Sequence, residues 1–207
     1  MRGMSLTLLV AAMCASTASF AESPWGVNLG ITNVSPSSDT GTLAGTYKSS
    51  VTSATTFTPA IEYTIVPQWQ AELLLAIPMK HDVKLSGGGL DNTKEASFSE
   101  LPPTLFLKYL PLAGQEFSPY VGAGLNYTLV YGVKTYDALA GADLKASNSF
   151  GLAGVLGCEY RPKASAWGVG VDIRYLDLKS DLKLNGSKIG SLDVNPWVYT
   201  LGANYHF

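Results

Sequence analysis

The chain has 207 residues, 21 of them glycine, a formal net charge of −2 and only 14% charged residues. A charge this close to neutral excludes a nucleic-acid-binding protein, because binding the phosphate backbone needs an excess of Lys and Arg. After the N-terminal apolar stretch, no apolar run approaches the roughly 18 residues that a membrane-spanning helix requires. Two classes remain, a secreted soluble β-barrel and a β-barrel that spans a membrane.

The N-terminus predicts export. Arg2 precedes the apolar stretch LTLLVAAM, and the small-x-small pattern of a cleavage site follows at 19–21. We therefore expect residues 1–21 to be a signal peptide and residues 22–207 to form the mature domain.

The two cysteines do not predict a disulfide. A lipoprotein anchor at Cys14 is the weaker alternative, because Met13 stands where a small residue is required. Cys14 leaves with the signal peptide, so Cys158 has no partner within the chain. We expect Cys158 to be a small packing residue, because no histidine is near it in sequence.

Alternation of apolar and small or polar residues recurs along the rest of the chain. This period of two predicts β-strands. Each alternating segment is about ten residues long, which is the length that crosses a bilayer at a tilt. The eight segments are 25–34, 57–66, 69–77, 101–110, 120–131, 150–160, 167–176 and 196–207.

Charge is strictly segregated within these segments. Every acid or base falls on the face opposite the apolar one. A Lys or Arg facing lipid would cost about 2–4 kcal/mol at the bilayer midplane. The segregation therefore predicts an all-β fold, a transmembrane antiparallel eight-stranded up-and-down β-barrel with charges inside.

The connections alternate in length. Long polar connections on one side and short turns on the other are typical of outer-membrane barrels, with both termini in the periplasm. The long connections are 36–54, 79–99, 132–149 and 179–191, and the short ones are 67–68, 111–117 and 161–165.

Aromatic residues predict two girdles at the two membrane interfaces. The alternative is a soluble barrel whose aromatic residues fill its core and whose small, polar face meets water. Many positions on that small face are glycine, which suits a crowded barrel interior better. The periplasmic girdle would hold Trp25, Trp69, Tyr109, Tyr160, Trp167 and Phe207. The outer girdle would hold Phe57, Tyr131, Phe150, Tyr175 and Trp197.

A succession of motifs across the mature chain resembles the OmpW family of eight-stranded outer-membrane barrels. The motifs are LPPTL at 101–105, PYVGAGLNYT at 119–128, GCEY at 157–160, DIRYLDLKSDL at 172–182 and VNPWVYTLGANYHF at 194–207. The final Phe207, with Tyr205 before it, also resembles the signal that the barrel-assembly machinery reads.

The resemblance implies a narrow hydrophobic channel that is closed towards the periplasm. It further implies uptake of a small hydrophobic solute, with release sideways into the bilayer. Lipid and lipopolysaccharide would surround the barrel, and a bacteriocin or phage could use the loops as a receptor. The loops diverge too far to identify the solute.

Inward residues sort by height into two layers. The apolar upper lumen, as a candidate ligand site, would contain Leu74, Ala76, Phe106, Val130, Leu176 and Val198. Below it, a polar plug of paired charges would contain Glu62, Glu72, Lys108, Glu159, Asp172 and Arg174. Buried charges are tolerated only when paired and hydrogen-bonded, so the plug is foremost structural, yet it would block straight passage.

Pro102 and Pro103 stand at the outer start of the fourth strand. Two missing N–H donors would weaken the barrel wall there, which predicts a lateral gate. The alternative is that these prolines only end the preceding loop, above the bilayer.

The sequence offers few residues that could carry out catalysis. His81 and His206 are the only histidines; we expect His81 to be a solvated loop residue, and His206 is next to the terminus. We therefore expect no catalytic residue, no metal and no cofactor. The second functional hypothesis is a non-conducting structural or adhesive barrel that displays its loops to partners.

Overall fold

The computed structural model describes residues 23–207, so the predicted signal peptide and Cys14 lie outside the described residues. The described chain is all-β apart from one 3-10 turn at Asp137–Leu139. Among these residues, no helix has the length and apolar character of a membrane span. In chain order the strands are β1 (Trp25–Ser35), β2 (Thr42–Leu43), β3 (Tyr47–Val51), β4 (Ala54–Val66), β5 (Trp69–Leu74), β6 (Met79–Gly87), β7 (Leu90–Leu101), β8 (Thr104–Tyr109), β9 (Phe117–Thr135), β10 (Leu144–Ala146), β11 (Ser149–Tyr160), β12 (Trp167–Leu176), β13 (Lys179–Leu184), β14 (Ser187–Asp193) and β15 (Trp197–His206).

Eight of these strands close into an antiparallel barrel, as predicted. The order around the wall is β1, β4, β5, β8, β9, β11, β12 and β15, and β15 pairs back with β1. Ser23 N donates to Phe207 O at 2.8 Å, so both ends of the described chain meet at one rim. We call this the lower end and the opposite rim the upper end.

The outer face of the barrel is apolar, and the charged side chains point into the lumen. Leu105 and Leu201 on this face are 54% and 63% exposed. By contrast, Glu72 and Arg174 are 0% and 2% exposed. The predicted segregation of charge is therefore confirmed. A continuous belt of exposed apolar side chains of this kind marks a lipid-contacting surface.

Two aromatic girdles border the apolar belt. At the lower end, Trp25 packs against Tyr63 with ring centroids 4.8 Å apart. At the upper end, Tyr175 and Trp197 face each other across neighbouring strands at 5.1 Å. All residues predicted for the girdles are exposed on the outer face. Cys158 is a half-buried free thiol on the outward face of β11.

The long connections lie at the upper end, as predicted, but they are not irregular loops. The segment 79–99 forms β6 and most of β7, and 36–54 contains β2 and β3. These strands continue the sheet beyond the barrel in the order β9-β7-β6-β3-β2, and β10, β13 and β14 form a second small sheet. We call these two sheets the extension. Their alternation has an apolar inward face, which encloses a second hydrophobic core.

Candidate functional site

The residues predicted for the upper lumen occupy two different layers. Leu74, Phe106, Leu176 and Val198 are buried in one cluster inside the barrel, and Ala76 packs against it. Val130 packs instead against the core of the extension. Sequence reasoning missed other members of the barrel cluster, among them Val34, Ala60, Met79, Tyr120, Ala153 and Val155.

Glycines on facing strands make room for the large side chains of the lumen. Gly124 is the register partner of Phe106, and a Cβ at Gly124 would lie 2.7 Å from the Phe106 ring. A Cβ at Gly157 would lie 2.6 Å from the Tyr120 ring. The small residues on the inward face thus let an eight-stranded barrel, whose interior is only wide enough for its own side chains, enclose aromatic rings.

Below Phe106, ionic side chains join across the lumen. Lys108 Nζ donates to Glu62 Oε1 and to Glu72 Oε2, at 2.7 Å each. Arg174 Nη2 donates to Asp172 Oδ2 at 2.8 Å and lies 3.1 Å from Glu72 Oε1. We call these five residues the ionic cluster. Three carboxylates and two cations thus form one connected group across the barrel interior.

Polar neighbours extend the ionic cluster. Gln70 Nε2 donates to Glu62 at 3.4 Å, and the Tyr120 hydroxyl donates to Asp172 at 3.2 Å. Glu159, predicted as part of the same plug, contacts His206 at 2.9 Å and Arg161 at 4.0 Å. Glu159 therefore belongs to a separate polar group nearer the lower rim.

An apolar cavity of about 200 Å³ lies in the extension, above the barrel. None of the six residues predicted for the lumen lines it. The wall is mostly aliphatic and aromatic, and it includes Leu43, Val83, Leu85, Ala96, Phe98, Val133, Leu144, Leu182, Ile189 and Leu192. An engineered apolar cavity of about 150 Å³ accepts benzene. The space is therefore large enough for a small aromatic or alkane-like molecule.

Glu95 is the charged residue of the cavity wall, and the protein itself satisfies it. Its Oε1 accepts from the Thr93 hydroxyl and its Oε2 accepts from Ala138 N, both at 2.9 Å. A molecule in the cavity is not required to supply a hydrogen bond to this carboxylate, which favours an apolar occupant.

A narrow gap of about 10 Å³ adjoins the cavity on the barrel side. It shares Phe98, Ala146 and Leu192 with the cavity wall and reaches Glu100 and Val130. The gap is too small for a solute, so any passage from the cavity towards the barrel requires these side chains to move.

His81 lies beside this gap, and the expectation that it is solvated is wrong. His81 is 1% exposed, stacks on Phe98 and places Nε2 3.3 Å from Glu100 Oε1. Burial would lower the pKa of His81, but the Glu100 carboxylate and the Thr52 carbonyl, 2.6 Å from Nδ1, raise the pKa above its usual value. The physical reason is that His81 lies on the inward face of β6, a strand within the segment predicted to be a polar connection.

The wall of the barrel contains a seam at Pro102 and Pro103. Strands β7 and β8 run along β9 in one continuous register, from Leu101 opposite Leu129 to Thr104 opposite Asn126. Pro102 and Pro103 separate β7 from β8 without changing this register. They follow a strand, β7, and not an irregular loop.

On the side away from β9, strand pairing is interrupted beside the prolines. The pairing of β5 with β8 ends with Leu74 opposite Thr104, and the pairing of β6 with β7 starts with Met79 opposite Glu100. Segment 75–78 instead bonds to β4, through Leu75 N to Pro59 O and Ile77 N to Phe57 O. The seam therefore separates 75–78 from 101–103.

Neither proline has a backbone N–H, and the two missing N–H groups would point to different neighbours, one to β9 and one to segment 75–78. Pro103 O accepts from Tyr127 N at 3.0 Å, so Pro103 faces β9. Adjacent residues of a strand direct their backbone groups to opposite sides. Pro102 therefore faces 75–78, and its carbonyl is instead reached by the Thr104 hydroxyl at 3.1 Å.

The residues of the proposed assembly signal lie at the lower rim. Tyr205 and Phe207 pack edge to face at 5.0 Å, and Phe207 N donates to Trp25 O at 3.1 Å. Their recognition by an assembly machinery stays a prediction.

The cavity residues carried a signal that sequence reasoning did not use. In MKHDVKL, Met79, His81, Val83 and Leu85 alternate with Lys80, Asp82 and Lys84. This is strand periodicity with the apolar side turned inwards. The abundance of Gly, Ser, Asn and Asp in 79–99 predicts a polar connection instead, and this composition masks the alternation.

Comparison with known proteins gives consistent results. The model of the OmpW family matches residues 25–207. Outer membrane protein W of Vibrio cholerae is 30% identical over 213 residues, covering 98% of this chain and 97% of that protein. The crystal structure of outer membrane protein OprG from Pseudomonas aeruginosa is similar with a TM-score of 0.76 and 30% identity, covering 90% and 97% of the two chains. The dibenzothiophene metabolism operon protein PahQ of Pseudomonas aeruginosa is 28% identical over 192 residues, covering 86% and 84%.

Proposed function

The chain belongs to the OmpW family of integral outer-membrane barrels, and on this premise we propose that it admits small apolar molecules into the outer membrane. The lower end then faces the periplasm and the extension projects outside. The proposed role is transport, with no catalytic step.

The apolar cavity in the extension carries this proposal. Its aliphatic wall and its volume of about 200 Å³ suit a small hydrophobic solute. The name of the relative PahQ, which links that protein to dibenzothiophene metabolism, agrees with an apolar aromatic solute. The cavity would collect the solute beyond the bilayer surface, where lipopolysaccharide otherwise slows its entry.

The ionic cluster supports a sideways exit. Lys108 and Arg174 are held by three carboxylates below Phe106. An apolar solute that moved straight down would have to displace paired charges from a low-dielectric interior, at a cost of several kcal/mol for each ion. The lower lumen would therefore act as a plug.

The seam at Pro102 supplies the proposed exit. It lies beside the gap that reaches Glu100 and Val130, next to the exposed aromatic residues Phe57, of the upper girdle, and Tyr127. A wall without ladder hydrogen bonds can part with little loss of pairing. We therefore propose that the solute passes from the cavity through the gap and leaves between 75–78 and 101–103.

An uptake assay tests the proposal. Initial uptake of labelled naphthalene would be measured in Gram-negative cells that carry the chain in the outer membrane. Ala96→Phe fills the cavity, because Ala96 is 2% exposed on its wall. Ala123→Phe makes the same change on the lipid-facing side of β9 and is the matched control.

We expect Ala96→Phe to reduce uptake to the level of cells without the chain, and Ala123→Phe to leave it unchanged. Retention of the heat-modifiable gel mobility of a folded barrel would show that both variants assemble. Equal uptake in wild type, variant and cells without the chain would contradict transport and favour the non-conducting adhesive barrel.

A further inference from the structure

Four of the lysines on the outer surface of the extension lie together on three neighbouring strands. Lys80 and Lys84 lie on β6, Lys94 on β7 and Lys134 on β9, and these three strands are neighbours. We call this set the lysine face. Lys80 and Lys134 are exposed, and Lys84 and Lys94 are half-buried.

The cations of the lysine face are close together and poorly neutralised. Lys84 stands directly opposite Lys94 in the β6–β7 register, and like charges in that position destabilise a sheet. Lys94 also pairs with Asp82 at 2.9 Å and lies 4.6 Å from the centroid of the Tyr136 ring. On the outward side of β6, β7 and β9, between the upper girdle and the β6–β7 turn, Asp82 is thus the single carboxylate beside four cations.

The other small sheet of the extension shows the contrast. Three of its four lysines are paired with acids: Lys145 with Asp143 at 3.0 Å, Lys179 with Asp193 at 3.0 Å and Lys188 with Asp181 at 2.8 Å. The fourth, Lys183, lies opposite Lys145 and Lys188 in the strand register. Four lysines of that sheet thus have three paired acids, whereas the four lysines of the lysine face have one, so the local excess of positive charge is larger on the lysine face.

The lysine face begins level with the upper girdle and extends beyond it. Lys80 is opposite Ser99, which is opposite the girdle residue Tyr131. Lys134 follows Tyr131 by three residues, which is at most about 10 Å along a strand. The polar headgroup region adds roughly 5–8 Å to each side of the hydrocarbon layer. The ammonium groups therefore reach the depth at which the phosphates of outer-leaflet lipids lie.

A local bulge sets this placement. The β7–β9 register shifts between Ser97 and Ser99, next to Gly132, whose φ is +63°. The shift turns Val133 towards the inner core and leaves Lys134 exposed. The strand thus changes from an apolar to a cationic outer face where the membrane ends.

We propose that the lysine face binds the phosphate groups of lipopolysaccharide in the outer leaflet. Each ammonium offers three donors, and hydrogen bonds from a cation to phosphate are among the strong ones. A bisphosphorylated lipid A placed against this face would satisfy the cations that Asp82 leaves unpaired. This binding is independent of the solute route and would hold the extension at a fixed depth.

Native mass spectrometry of the full chain in detergent micelles tests the proposal, with bisphosphorylated lipid A as the probe. The variant carries Lys80→Gln, Lys84→Gln, Lys94→Gln and Lys134→Gln. The control removes the same number of charges from the neighbouring sheet, through Lys145→Gln, Lys179→Gln, Lys183→Gln and Lys188→Gln. Heat-modifiable gel mobility reports that each variant is folded.

We expect the lysine-face variant to bind lipid A at least about tenfold more weakly than wild type, since each basic residue near an anionic surface contributes substantially to the binding free energy. We expect the control to bind lipid A as wild type does. Dephosphorylated lipid A should bind wild type as weakly as it binds the variant. Unchanged binding in the variant, or an equal loss in the control, would overturn the proposal. Displacement of lipid A by millimolar inorganic phosphate would indicate a site for free phosphate and would overturn the lipid assignment.

Discussion

Phe106 lies against the guanidinium of Arg174, with 5.5 Å between the ring centroid and Cζ. Both side chains are almost completely buried, at 1% and 2% exposure. This contact marks the upper limit of the ionic cluster; above it the lumen holds the apolar cluster together with the uncharged, hydrogen-bonded Thr104, Asn126 and Thr128. A cation against an aromatic face is a favourable contact, so it stabilises this boundary. In the proposed route, the paired charges below it would oppose the passage of an apolar molecule.

The first prediction concerns the stability of the ionic cluster. Lys108→Met keeps an unbranched side chain of similar length but leaves Glu62 and Glu72 without their shared cation. We expect the free energy of unfolding to fall by about 3–5 kcal/mol, the usual effect of breaking a buried ion pair from one side. Urea unfolding of the barrel in detergent, followed by gel mobility, measures the change.

Lys145→Met is the control for this prediction. Lys145 also has an ion pair, with Asp143, but its side chain is 70% exposed. Solvent screens such a pair, so we expect no measurable change. A loss of stability as small in Lys108→Met as in this control would show that the ionic cluster does not hold the barrel together.

The second prediction is a pH dependence caused by His81. Because the pKa of His81 is raised in the folded state, the His81–Glu100 interaction stabilises the protein fully below the unfolded-state value of about 6.5. This contribution is lost as the pH rises through the higher folded-state pKa. Asp82, next to His81 on β6, adds attraction in the same direction.

Unfolding midpoints measured from pH 6 to pH 9 test this dependence. Wild type should lose stability across the range, and His81→Gln should lose less of it, since a glutamine does not titrate. All other residues are the same in both proteins, so the comparison isolates His81. Parallel curves for the two proteins would rule out His81 as the source.

The third prediction separates the two prolines of the seam. Pro102→Val restores a donor directed at 75–78, whereas Pro103→Val restores one directed at β9. If the seam is the exit, Pro102→Val should slow naphthalene uptake while binding in the cavity is retained. Pro103→Val should affect uptake less, because it strengthens a pairing that already exists. Equal uptake in Pro102→Val and wild type would exclude an exit at this seam.

The sequence predicted the membrane-spanning barrel well because one physical rule governs it. Lipid outside and a crowded lumen inside force Leu105 outwards and Phe106 and Lys108 inwards, and the alternation records this directly. The same rule predicts that Glu72 and Arg174 share the interior. Their pairing partners could not be read from the sequence, because they depend on the register of strands that are far apart in the chain.

The extension was missed because the rule inverts above the membrane. There, water lies outside, so Lys80 and Asp82 face outwards and Val83 and Leu85 face inwards. Charge counting alone assigns such a segment to a polar loop. The pairing of β6 with β3 also depends on contacts between distant segments, so the cavity between these strands had no local sequence signature beyond its alternation.

The most direct test of the account is the location of a bound apolar molecule. Crystals of the protein grown in lipid and soaked with 1-bromonaphthalene would reveal the bromine by anomalous diffraction. We expect a peak inside the extension, among Leu85, Ala96 and Leu182. Peaks confined to the lipid-facing surface of the barrel, with the cavity empty at saturating ligand, would contradict the proposed route.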